Sequence, residues 1–229
     1  MLRSRFILAR ISHSRVELNF RYRLLKGTCC LIGHRTEPHI RHSNSNLLVI
    51  MAGHHVLLTG PPGIGKTTVV KKLCELLKEK NMMYQGFFTE EVRNGRERIG
   101  FDIVSTFGKH GTLARVSIPN IRGPKVGKYT VDVSSFEALA LPVFDCAPSS
   151  ILILDEIGKM ESFSKPFLSK TREAFAKDGI KILATIPVAR NALPFVDELR
   201  NRKDCLLIQV TKENREDLPS EIVLHLLKT

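Results

Sequence analysis

At 229 residues, 43% hydrophobic and 25% charged, the chain has ordinary globular composition, which excludes a fibrous, disulfide-dense or largely disordered protein. Its net charge of +12 is uneven: residues 1–50 hold nine Lys and Arg against two Glu, a net +7, leaving +5 for the other 179 residues. So mild an excess on the main body calls for no nucleic acid, and no run approaches the roughly 18 apolar residues of a membrane span.

Residues 1–50 read as a basic N-terminal extension in which Arg and Ser alternate with short apolar patches and no period lasts. Two readings stand. An Arg-rich, acid-poor N-terminus can act as a mitochondrial transit segment. Alternatively Met51, followed at once by a strand and a Gly-rich loop, is a second translation start and the extension is dispensable. The folded domain is expected at 51–229, in the cytoplasm, or in mitochondria if the extension directs it there. The five cysteines, Cys29, Cys30, Cys74, Cys146 and Cys205, include no C-x-x-C pair and fit a reducing compartment.

From His54 short apolar runs alternate with amphipathic stretches, the pattern of a mostly parallel sheet with helices on both faces. HHVLLT is the first expected strand. The helix after the loop at 60–67 sets Val69, Val70, Leu73, Leu76 and Leu77 on one stripe. A strand at about 86–92 leads into RNGRERIGFDIV, which reads as a hairpin about Asn94-Gly95, and a Gly- and Pro-punctuated stretch runs on to Tyr129. This is the expected small antiparallel hairpin insertion. ILILD at 151–155, IKILATI at 180–186 and CLLIQV at 205–210 resume the parallel pattern, and four apolar residues before Asp155 put that strand at the centre of the sheet. The whole reads as an α/β three-layer sandwich.

GPPGIGKT at 60–67 satisfies G-x-x-x-x-G-K-[ST] between a strand and a helix, the context that a phosphate-binding loop requires. Gly60, Gly63 and Gly65, spaced by Pro61, Pro62 and Ile64, let successive backbone N–H groups face phosphate oxygens. Lys66 can set its ammonium between the β- and γ-phosphates, and Thr67 can give its hydroxyl to Mg²⁺, with Thr68 a weaker neighbour. The helix starting there points its positive end at the anion. Asp155 ends a central strand at the edge where open α/β sheets bind ligands, which suits Mg²⁺. Glu156 can polarise an attacking water. Each acid can also be a plain strand-end cap.

These residues carry a wider resemblance. HHVLLTGPPGIGKTT, GFFTEEVR at 86–93, RIGFDIV at 98–104, VGKYTVDVSSFE at 126–137, LDEIGKME at 154–161, TIPV at 185–188 and RNRKD at 200–204 together resemble the cancer-related nucleoside-triphosphatase family, which has relatives in thermophilic bacteria and archaea. The resemblance implies a P-loop fold and hydrolysis of ATP, GTP, CTP, UTP and TTP to diphosphate and phosphate, with little base selectivity and with diphosphates as poorer substrates. It sets the nucleotide contacts on Gly60 through Thr67 and on Ile151, Leu152, Ile153, Leu154, Asp155, Glu156, Ile157 and Gly158. Residues 1–50 fall outside it.

Phosphoryl transfer is helped by a cation beyond Lys66, and Arg93, Arg98, Arg122, Lys159, Arg200 and Arg202 are candidates, each also readable as a surface charge. Thr185 ends a strand, where its hydroxyl can sense phosphate or bond backbone. Glu90 and Glu91 fit a salt-bridged strand end beside Arg93, and Phe87, Phe88 and Phe101 fit core packing better than base stacking. Two rivals use the same loop. A small-molecule or nucleotide kinase would pass phosphate to an acceptor other than water, and a nucleic-acid motor would need aromatic–basic repeats that are missing; ENRED at 213–217 is only loosely like a guanine-reading motif. A monomer acting on nucleoside triphosphates, with no nucleic-acid or membrane partner, is expected.

Overall fold

Apolar residues on the central strands point alternately to two faces, so the strands need cover on both. In the computed structural model, which describes residues 54–116, 122–188 and 193–228, the order is β1 His55–Gly60, α1 Lys66–Glu79, β2 Tyr84–Asn94, β3 Glu97–Ser105, β4 His110–Arg115, β5 Lys125–Val126, β6 Tyr129–Val131, α2 Val133–Ala140, β7 Ile151–Asp155, α3 Lys165–Ala176, β8 Lys181–Pro187, α4 Pro194–Arg200, β9 Cys205–Gln209 and α5 Leu218–Lys228. The extension at 1–50 lies outside the described residues.

Leu57, Leu152, Leu154, Ile182, Ala184 and Ile186 face one layer, which carries Phe136 of α2, Phe167 of α3 and Phe195 of α4. Val56, Leu58, Ile151, Ile153 and Leu183 face the other, which carries Val69, Val70, Leu73 and Leu77 of α1 and Ile222 and Leu226 of α5. The helical stripe read from the sequence is the buried one, except that Leu76 is only partly covered. Around Phe167 the rings of Phe87, Phe136 and Phe144 stand 5.8, 5.1 and 5.7 Å away in tilted or edge-on contacts, the geometry that aromatic quadrupoles favour.

Nine strands among the described residues form one sheet in the order β5-β6-β4-β3-β2-β7-β8-β1-β9. The run β2-β7-β8-β1-β9 is parallel throughout. The expected α/β sandwich is therefore present, but its antiparallel part is larger than a hairpin. Strands β3, β4, β6 and β5 widen the same sheet. Strand β2 pairs with β7 only as far as Phe88↔Asp155, yet continues beside β3 to Asn94. A two-stranded ribbon thus stands out past the end of β7, and Lys71 of α1 ties it down by an ion pair of 2.5 Å to Glu90.

The close approach of β2 to β7 depends on one residue. Gly86 has φ of 149°, and a Cβ there would collide with the carbonyl oxygen of Ile153. Gly86→Ala should therefore lower the unfolding free energy by about 3 kcal/mol, from overpacking and backbone strain together. Chemical denaturation checks it: an unchanged midpoint would mean that β2 can move away from β7 freely.

Candidate active site

The three parallel strands β7, β8 and β1 end on the same edge of the sheet, and that edge carries the loop, the acids and Thr185. Gly60, the last residue of β1, pairs with Pro187 of β8, and Leu154 of β7 pairs with Ala184. Strand β8 thus separates the phosphate-loop strand from the acidic strand. Thr185 bridges the gap by donating its hydroxyl to Asp155 Oδ1 at 2.5 Å. The partner of the Thr185 hydroxyl is thus a side-chain carboxylate, which neither reading of Thr185 names.

Gly63 and Gly65 take φ of 75° and 109°, left-handed conformations that side chains strain to adopt. Gly65 is the N-cap of α1, with no capping side chain and no acid in the first turn. The orphan N–H groups at that end are therefore left for an external anion. Lys66 is buried to 9% exposure, and its ammonium donates to the Gly60 carbonyl at 3.2 Å and sits 3.5 Å from Glu156 Oε2. Asp155 is 1% exposed and its Oδ2 has no hydrogen-bond partner, a costly state for a carboxylate. Burial raises its pKa to about 6; the hydroxyls of Thr185 and Thr67 pull it down, Glu156 pushes it up and Lys66 pulls it down. The free oxygen next to Thr67 is the donor set that a hard divalent cation takes.

The family described as NTPase matches residues 55–223. The chain belongs to this nucleoside-triphosphatase family. A cancer-related nucleoside-triphosphatase homolog from Bos taurus is 48% identical over 182 residues, spanning 75% of this chain and 96% of the relative. The nucleoside-triphosphatase THEP1 of Thermotoga maritima is 38% identical over 170 residues, spanning 73% and 92%. The solution structure of a human cancer-related nucleoside triphosphatase superposes with a TM-score of 0.67 at 47% identity, covering 76% of this chain and 98% of that one. The chain is accordingly a nucleoside-triphosphatase.

In this triphosphatase the segment at 151–158, expected to contact nucleotide, is largely core. Ile151, Leu152, Ile153 and Leu154 are fully buried, with β2 and β8 paired on either side, so their side chains belong to the core. Ile157 is also fully buried, its N–H held by the Thr185 carbonyl at 2.8 Å, and the Gly158 N–H is taken by Glu161. Of that segment Glu156 alone is partly exposed, and Asp155 is buried with its Oδ2 unpartnered. Among the candidate cations, Arg93 and Arg98 both pair with Glu91, and Arg202 pairs with Asp204. Arg122 and Lys159 are exposed, and Arg200 donates to the Pro187 carbonyl at 2.7 Å. Phe87 is core, Phe88 lies under Lys71, and Phe101 packs edge-on to Tyr129.

Glu161 was visible only as the last letter of LDEIGKME, yet it is 4% exposed and accepts the Gly158 N–H at 3.0 Å. A Cβ on Gly158 would lie 3.1 Å from both Glu156 Oε1 and Glu161 Oε2, so a side chain there would require the two carboxyls that flank it to shift by a few tenths of an ångström. Burial, with Glu156 adding to it, pushes the Glu161 pKa up to about 8, so the side chain is a neutral acid at physiological pH. An acid whose folded pKa is raised stabilises fully below its unfolded value and loses that contribution as pH rises through the folded one. Glu161→Gln should thus gain melting temperature relative to wild type between about pH 5 and pH 8 and hold that gain above. A difference that is flat with pH would show the carboxyl to be ionised in the fold.

Proposed function

We propose that this nucleoside-triphosphatase hydrolyses the terminal anhydride of nucleoside triphosphates with Mg²⁺, with little regard for the base and more weakly on diphosphates. The observation that carries the reading is the Lys66 ammonium, buried against the Gly60 carbonyl and Glu156. A triphosphate entering the loop offers Lys66 a stronger partner than Glu156, so the ammonium passes to the β- and γ-oxygens and Glu156 is released to face the γ-phosphate. Gly60, Pro61, Pro62, Gly63, Ile64, Gly65, Lys66, Thr67 and Thr68 cradle the phosphates, mostly through backbone N–H groups that cannot distinguish bases.

Thr67 and Asp155 would hold Mg²⁺, supported by the unpartnered Asp155 Oδ2; when bound, the ion neutralises charge on the β- and γ-oxygens. Glu156 orients a water in line with the γ-phosphorus and accepts its proton as the new P–O bond forms and the bond to the bridging oxygen breaks. Lys66 meanwhile stabilises charge on the transferred group and on the leaving diphosphate. Thr185 keeps Asp155 in one orientation. A diphosphate places one phosphate fewer between Lys66 and Glu156, hence the weaker turnover. The working unit is residues 51–229, acting as a monomer on nucleotides alone, a reading supported by the family match over 55–223 and by the mild charge of that part.

The test is phosphate release from ATP, GTP, CTP, UTP, TTP and the diphosphates without any acceptor. The five triphosphates should agree within about tenfold, a chelator should abolish release, and Lys66→Ala should cost about 10²-fold or more. Release that needs an added hydroxyl acceptor would make the protein a kinase, and Lys66→Ala within threefold of wild type would remove the loop from the chemistry.

A further inference from the structure

The segment ENRED at 213–217 has no part in the reading above, yet one of its residues touches the phosphate loop. The loop joining β9 to α5 is pinned on both sides. The Val210 N–H donates to the Thr59 carbonyl at 2.7 Å, and a Cβ on Gly60 would lie 3.0 Å from the Val210 carbonyl oxygen, so the two loops are packed together. Thr211 and Asn214 lock the turn: Asn214 Oδ1 accepts from the Thr211 N–H at 2.8 Å, Thr211 Oγ1 accepts from the Asn214 N–H at 3.3 Å, and Asn214 Nδ2 donates to the Gln209 carbonyl at 2.9 Å. This rigid turn projects Arg215 over the phosphate loop. Its Nη1 donates to the Ile64 carbonyl at 3.3 Å, and its Cδ is 3.7 Å from the place a Cβ would take on Gly65.

The sheet order says which end of a nucleotide meets this arginine. Asp155 ends β7, Glu156 follows it and Thr185 lies on β8, so the proposed reaction places the γ-phosphate on that side of the loop. Strand β9 flanks β1 on the other side. A nucleotide with its γ-phosphate between Lys66 and Glu156 therefore runs its nucleoside end over the loop toward β9 and Arg215. The Arg215 side chain is 41% exposed, with its ion pair to Glu216 a loose 3.5 Å, and Glu216 is already held by Lys72 at 2.5 Å. Part of the Arg215 side chain is thus left open to solvent beside the phosphate loop.

We propose that Arg215 binds the nucleoside end of the substrate by laying its guanidinium plane against the face of the base, an inference that rests on the phosphate-site reading above. A base face is common to purines and pyrimidines, whereas its hydrogen-bonding edge is not, so stacking gains affinity without choosing among bases. Arg215 is then a positioning residue for the nucleoside, and low base selectivity follows from how it binds.

The experiment compares nucleoside triphosphates with inorganic tripolyphosphate, which has the phosphate chain and no nucleoside. In the full chain, Arg215→Ala should raise the KM for ATP, GTP, CTP and UTP by about tenfold alike, with kcat within about twofold, while the KM for tripolyphosphate moves less than about twofold. Arg215→Lys should remain as defective as Arg215→Ala, since an ammonium keeps the charge but not the plane. Equal losses on tripolyphosphate and nucleotides would overturn the proposal by showing that Arg215 supports the loop or a phosphate. Rescue by lysine, or loss confined to one base, would overturn it as well. Wild-type protein inactive on both kinds of substrate would instead count against the phosphate-site reading itself.

Discussion

A lysine ammonium taken out of water has to be compensated by groups placed around it, and the catalytic edge of this sheet is arranged about that requirement. Lys66 lies at the first position of α1, next to a bare helix N-terminus that would repel it unless an anion were close. That anion is Glu156 at 3.5 Å, helped by the Gly60 carbonyl. The pair is long and only half enclosed, with Glu156 33% exposed, so it can be broken by a stronger anion. In the proposed mechanism, the interaction that offsets the burial of Lys66 is the one that substrate displaces.

Placing Glu156 there is a matter of topology. With β8 between β7 and β1, the acids stand one strand away from the strand that carries the phosphate loop. Thr185 is the consequence of that spacing, because the strand end that separates the two can also hydrogen-bond the buried Asp155. The turn after Glu156 is then fixed from below by Glu161 through the Gly158 N–H. Beyond β7, the ribbon of β2 and β3 forms a wall anchored to α1 through Lys71 and Glu90. The site is therefore bounded by rigid strands on one side and by the Arg215 turn on the other.

Much of this was legible locally. The loop, the helix stripe and the two acids are short-range patterns, and short-range geometry fixes them. The order of parallel strands was not legible, since nothing in IKILATI says that it inserts between ILILD and HHVLLT; that pairing is settled by burial across the whole sheet. The burial of most of 151–158 was not legible for a related reason. The strand part of that motif is buried on both faces, and only its end reaches the edge. Glu161 was missed because its burial depends on how the turn at 157–160 folds back, and Arg215 because its contact with Ile64 spans the length of the domain.

The proposed chemistry turns on the exchange at Lys66, and Glu156→Gln tests it most directly, by single-turnover phosphate release measured together with equilibrium binding of a labelled triphosphate. The amide keeps the shape but neither the charge that competes for Lys66 nor the base. Turnover should fall by about 10²- to 10⁴-fold, while the dissociation constant stays within a few-fold of wild type or tightens, because the phosphate no longer has to displace a carboxylate. Turnover within about fivefold of wild type, or a large loss of binding, would contradict the exchange and place Glu156 outside the reaction or in the shell of the metal.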